Sequence, residues 1–315
     1  MKKILLSLAT IAIVGIAATG LTVSFYGDTE TSTGNTFTAG SIELKIDSRS
    51  HYNNMVCTDM GEADPRYQWQ PEVGFNPGPE DYPQPGDACD GTWAETDLQD
   101  GAQKFFNFSD LKPGDKGEDT ISLHVYDNDA WGQFEFTPTR DADNTCTEPE
   151  TVAEDSNHND TICDPENDGE IDENLYWTAW LDWGSLPGFQ CGEQGPNNAE
   201  CDADRTEGDN IHQEGEPYIW NNTLIGETGP FNLRDLLSSV WSQDCSSAAA
   251  NGHDDYGECH GIAEDGRLVG STTYYFGLAW DFPLSTGNEI STDEYTADMI
   301  FRVEQMRNNP TPFQD

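Results

Sequence analysis

The chain has 315 residues, with 14 Lys and Arg against 59 Asp and Glu, a formal net charge of −45. A surface this negative repels phosphate backbones and anionic lipid, which argues against nucleic acid as a partner and against peripheral membrane docking. It also suits solubility in high salt, where counterions screen self-repulsion within about 3 Å at 1 M, and the 9 Trp, 11 Tyr and 14 Phe speak for a packed core rather than disorder.

In chain order, Lys2 and Lys3 precede an uncharged run from Ile4 to Val23, with the small residues Thr22 and Ser24 at cleavage-site spacing. Residues 1–24 therefore read as a helical secretory signal peptide cleaved near Ser24, the chain meeting the membrane only through it; a retained anchor is the competing reading. Residues 25–36 form an extended small-residue segment, residues 37–307 a single domain and residues 308–315 a tail. Strands are expected at Thr36 to Ile46, Phe105 to Phe108, Thr120 to Tyr126, Gln133 to Pro138, Leu175 to Trp183, Tyr218 to Ile225, Thr272 to Phe282 and Tyr295 to Val303. In the last of these, Tyr295, Ala297, Met299, Phe301 and Val303 share one face, the pattern of a half-buried strand. One short helix is expected within 229–241, where Phe231, Leu233, Leu236, Leu237 and Val240 recur at helical spacing. With turn-rich connections and no strand–helix alternation, the fold class is all-β, a jelly-roll-like antiparallel β-sandwich.

Four polar insertions separate these strands, at 48–103, 141–173, 184–214 and 242–267, and each holds two of the eight cysteines. Local pairing is the economical reading: Cys57 with Cys89, Cys146 with Cys163, Cys191 with Cys201, and Cys245 with Cys259. An even cysteine set without C-x-x-C in an exported chain reads as disulfides, which close loops too long to stand without structure of their own.

Three stretches resemble the TasA/camelysin family of exported proteins. They are "FYGDTETSTGNTFTAGSIELKID" from residue 25, "FNFSDLKPGDKGEDTISLHVYDNDAWGQFEF" from 106 and "YYFGLAWDFPLSTGNEISTDEYTADMIFRVEQMRNNP" from 274. The resemblance implies a jelly-roll subunit of extracellular biofilm-matrix fibres, self-assembling by β-strand addition, with an N-terminal donor strand drawn from residues 25–36. It also brings a competing reading, since parts of the family are classed as metallopeptidases. Here none of the histidines at 51, 124, 158, 212, 253 and 260 forms an H-E-x-x-H, and no nucleotide or hydrolase motif is present, so no catalytic residue is assigned. His253 and His260 flank "DDYGEC" and invite a metal, but a loop closed by Cys245 and Cys259 accounts for them more simply. A third reading is a monomeric surface-binding module presenting Trp69, Trp93 or Trp220 to carbohydrate or protein, although such Trp more often form local cores.

Ligand-like spacing occurs in one acidic segment. Asp164, Glu166, Asp168, Gly169 and Asp172 fill positions 1, 3, 5, 6 and 9 of a D-x-E-x-D-G loop, and an overlapping register offers Asp155, Asn157, Asn159 and Glu166. Hard oxygen ligands without histidine suit Ca²⁺. Leu175 stands where an EF-hand places its bidentate Glu, so the loop is not an EF-hand, and a solvated acidic loop is the competing reading. N-glycosylation acceptors occur at Asn107, Asn159 and Asn221.

Overall fold

A computed structural model describes the backbone of residues 27–29 and residues 42–99, 102–145, 147, 149–150, 169–190, 206–246 and 258–314. The signal segment, the start of the first expected strand and the cysteines at 146, 163, 191 and 201 lie outside the described residues.

Twelve strands are described: β1 (Gly27–Thr29), β2 (Glu43–Tyr52), β3 (Met55–Asp59), β4 (Tyr67–Pro71), β5 (Trp93–Thr96), β6 (Lys116–Tyr126), β7 (Ala130–Asp143), β8 (Tyr176–Leu181), β9 (Tyr218–Leu224), β10 (Phe231–Asn232), β11 (Thr272–Asp281) and β12 (Asp293–Gln305). They form two antiparallel sheets. The smaller has the order β1-β12-β7-β10; the larger runs β4-β3-β2-β6-β11-β8-β9, with β5 added to β2. The all-β sandwich expected from the sequence is the architecture observed.

Alternation builds the interior. Leu44 and Ile46 on β2, Ile121, Leu123 and Val125 on β6, and Tyr274, Phe276 and Leu278 on β11 all turn inward and are buried, as the period of two along a strand requires. From the smaller sheet Phe134, Phe136 and Phe301 face them. Rings meet across the gap: Phe136 lies 5.1 Å from Trp177, Phe134 5.1 Å from Trp220 and Phe301 6.3 Å from Phe276. Offset or edge contacts of this kind add to the burial of large apolar area.

The turn at "LKPGD" reverses the chain ahead of β6: Asp115 N donates to Lys112 O at 2.9 Å, and Gly114 takes φ +96°, which a side chain would resist. The expected helix begins later than predicted. Phe231 and Asn232 pair with β7 as β10, and Asn232 then caps α2 (Leu233–Val240), its Oδ1 accepting from Arg234 N at 3.1 Å. A shorter helix, α1 (Ile171–Asn174), precedes β8.

Two expectations are corrected. Phe105 to Phe108 is not a strand; Phe105 is buried, stacked edge-on against Trp93, while Phe106 packs on Trp177 and Phe108 on Tyr52 and Trp280. The side chains plug the sandwich, and among the described residues no neighbouring strand pairs with their backbone. The stretch 48–103 is not merely a loop: β2 continues through it to Tyr52, and β3, β4 and β5 extend the larger sheet. Cys57–Cys89 ties β3 to the far end of this extension, and Cys245–Cys259 closes the segment after α2, both as paired from the sequence. Disulfides of this kind belong to an oxidising compartment. Among the described residues no helix is long and apolar enough to cross a membrane.

Phe301 stacks on Phe134 at 4.7 Å and is 2% exposed. Phe301→Ala is expected to lower the unfolding free energy by about 3–5 kcal/mol, read as the guanidinium midpoint at fixed high salt. A midpoint that stays in place would mean that the two sheets do not depend on this seam.

Candidate functional site

The ends of the β7–β12 ladder carry the features with functional chemistry. At one end Asp293 pairs with Asp143, and Tyr295 with Asp141. Asp143, Glu150 and Asp293 each offer a carboxylate oxygen, and the three oxygens lie within 4.8 Å of one another. Glu150 is fully buried and accepts from Thr147 N at 2.7 Å. Asp293 Oδ2 accepts from Glu170 N at 2.8 Å, while Asp143 Oδ1 and Asp293 Oδ1 are buried without a hydrogen bond. Burial, and then the charge of Asp143, raise the Asp293 carboxyl above its ordinary range. Gly169 lets the chain lie close here: a Cβ on it would fall 2.9 Å from Asp141 Oδ1 and 3.1 Å from the Ala142 carbonyl carbon.

Of the predicted calcium ligands, Asp172 is the one described; it sits on α1, and its charge, after burial and together with that of Asp141, raises the Tyr295 hydroxyl. Asp155, Asn157, Asn159, Asp164, Glu166 and Asp168 lie outside the described residues. Asp143, Glu150 and Asp293 were not singled out by sequence. Asp143 and Asp293 are 150 residues apart and become neighbours only when β7 pairs with β12; alternating acids at the end of a strand, as in Asp141 and Asp143, are the one signal that points toward them.

At the other end of the ladder, β1 pairs with β12 in the register Gly27 to Glu304, Asp28 to Val303 and Thr29 to Arg302. Among the described residues β1 is the strand on that side of β12, and it covers three of the thirteen residues. The rest of that edge carries no described ladder.

The histidines are used individually. His124 Nε2 lies 2.7 Å from Asp47 Oδ2, His212 stacks on Tyr218 at 4.1 Å, and His260 is buried beside Cys259. His51 is bonded to Glu72. His158 and His253 lie outside the described residues. Trp69 is buried, and Trp93 and Trp220 are half-buried against Phe105 and Phe134, the local-core role expected of them. Asn107 is exposed and donates to Asp90 Oδ2 at 2.6 Å, and Asn221 is exposed on β9. No family model and no curated protein matches the chain.

Buried carboxylates also organise the turns after β8. Asp182 accepts from Gly208 N at 3.1 Å and Asn210 N at 2.7 Å, and Glu216 from Gly184 N and Gln213 N, each at 2.7 Å. Burial outweighs these bonds and pushes Asp182 to about 7 and Glu216 to about 8. The folded chain thus holds protons that the unfolded chain releases near pH 4, so stability is expected to decline as pH rises from about 4 and to level off above about 8. Melting temperature against pH at constant high salt measures this, and Asp182→Asn should flatten part of the slope. A profile that rises over this range, or one that Asp182→Asn leaves unaltered, would contradict the assignment.

Proposed function

We propose that the chain is an exported structural protein of the TasA/camelysin type, a subunit of extracellular matrix fibres that assembles by β-strand addition. The observation that carries this reading is the β1–β12 ladder. A three-residue strand near the N-terminus engages the edge of the smaller sheet, and a ladder of main-chain hydrogen bonds is chemically the same whether the strand comes from its own chain or from a neighbour. The three stretches that carry the family resemblance supply part of β2, half of β7 and nearly all of β6, β11 and β12, the strands at the centre of both sheets. Two disulfides accord with export.

Deleting residues 25–36 from the mature protein is expected to abolish filaments in electron micrographs while circular dichroism still reports a folded β-protein. Filaments that persist unchanged would rule out donation from this segment.

Calcium is the second element of the reading, favoured by the convergence of Asp143, Glu150 and Asp293 where the acidic segment ending in Asp172 rejoins the sheet. Oxygen-only ligands of high charge suit this ion, and extracellular modules bind it with dissociation constants of about 10⁻⁴–10⁻³ M. Calcium at tenfold excess over such a constant should stabilise the fold by ~1.4 kcal/mol, seen as a rise in melting temperature that Asp293→Asn removes. An equal rise in the variant would place the ion elsewhere.

A further inference from the structure

On the solvent-facing side of the larger sheet, His51 of β2 stands opposite Glu118 of β6. Glu72 comes to the same place from the end of β4, because Pro71 pairs with Met55 and Glu72 N donates to Asn54 O at 3.0 Å, folding the end of β4 over the Asn53–Asn54 turn. His51 Nδ1 lies 2.8 Å from Glu72 Oε1 and 3.6 Å from Glu118 Oε1, and the three ligand atoms all fall within 4.8 Å of one another. The side chains are partly sheltered, at 15%, 35% and 37% exposure. One imidazole nitrogen carries at most one proton, and the Glu118 oxygen is already beyond hydrogen-bond reach of it. Two carboxylates therefore crowd a single nitrogen, with the Lys116 charge offsetting part of their mutual repulsion.

We propose that His51, Glu72 and Glu118 form a binding site for a divalent metal ion of the zinc and manganese class, separate from the oxygen-only centre at the end of the β7–β12 ladder. Metal–ligand bonds of about 2.0–2.1 Å place tetrahedral donors roughly 3.3 Å apart, so the 3.6 Å pair needs to close slightly and the 2.8 Å pair to open slightly. The imidazole selects a transition ion over calcium or magnesium, and the solvent-facing side leaves positions for water. Because the ligands come from β2, β6 and the end of β4, the ion clasps the β3–β4 extension onto the core strand β6. The role derived is structural; no reaction is assigned to it.

The test uses the full mature chain, freed of metal with a chelator and titrated calorimetrically with Zn²⁺, with Mn²⁺ added separately during NMR observation of the histidine ring protons. Wild type should show a site whose affinity falls by at least about tenfold in His51→Ala and in Glu118→Gln, the loss that even an outer-shell change produces. Asp293→Asn should leave it unchanged. Mn²⁺ should broaden the His51 ring signal ahead of those of His124 and His212, a readout that needs no variant and is unaffected should a substitution unfold the extension. Equal Zn²⁺ affinity in wild type and His51→Ala, or broadening that spares His51, would overturn the proposal.

Discussion

Everything in this molecule leans on the aromatic seam between its two sheets. Phe134, Phe136 and Phe301 from the smaller sheet meet Trp177, Trp220 and Phe276 from the larger one, and large rings packed at these distances give a core that stays together despite the charge outside it. Smaller ties supplement the seam, among them a backbone bridge between Ala130 and Leu268 and the bond from Glu170 N to Asp293. Of its four strands only β7 and β12 are long, and they are held to each other along their whole length and to the rest of the protein through that seam. At the far end Trp131 Nε1 reaches Asn309 O at 2.6 Å and locks the tail under the same strand pair.

The long ladder places its two ends far apart. Asp293 and Val303 are separated by roughly 33 Å at the usual rise per residue, so the carboxylate centre and the edge taken by β1 stand at opposite ends of one rigid unit. The register shifts between Thr296 and Ala297, which pair with Arg140 and Pro138 and leave Thr139 without a partner in the ladder, so a bulge separates the acidic end from the regular part. In the proposed reading, the sheet is a spacer between a cation-binding end and a strand-accepting end.

How much of this was legible in the sequence depended on what each inward position held. β6, β8, β11 and β12 are legible because aliphatic or aromatic residues recur at every second position, and β9 because Tyr218, Ile219 and Trp220 open it. The later part of β2 escaped because Ser48 and Ser50 occupy inward places, breaking the apolar alternation beside Asp119. That residue is fully buried, and burial drives its carboxyl well above the usual range. β3, β4 and β5 are four or five residues long and carry Thr, Gln, Asp or Glu, too little pattern to separate them from a loop. "FFNF" differs in the opposite sense: Phe105 is buried and Phe106 and Phe108 half-buried, but as a plug between sheets, so hydrophobicity marked location without marking backbone pairing. Local cysteine pairing was readable because sequence distance itself limits the choice. The metal-type clusters were not, since Asp143 with Asp293, and His51 with Glu118, are joined only by strand register.

Charge sets the terms on which such a subunit could assemble. A chain of net charge −45 approaching a copy of itself meets a repulsion that short main-chain ladders cannot overcome unless salt or bound cations reduce it. The acids along β12, among them Glu294 and Asp298, make that edge unattractive to arbitrary strands, the protection that exposed sheet edges require. A segment running from Gly27 to Asn35 carries only two acids and no bulky side chain, so it is among the few parts of the chain able to lie along such an edge without adding much repulsion. In the proposed assembly, cations held at the carboxylate centre, at the opposite end of the ladder from β1, would lower the charge with which one copy meets the next rather than act on the strand itself. Selectivity for the N-terminal segment and dependence on cations would then follow from one cause, the concentration of acid along β12.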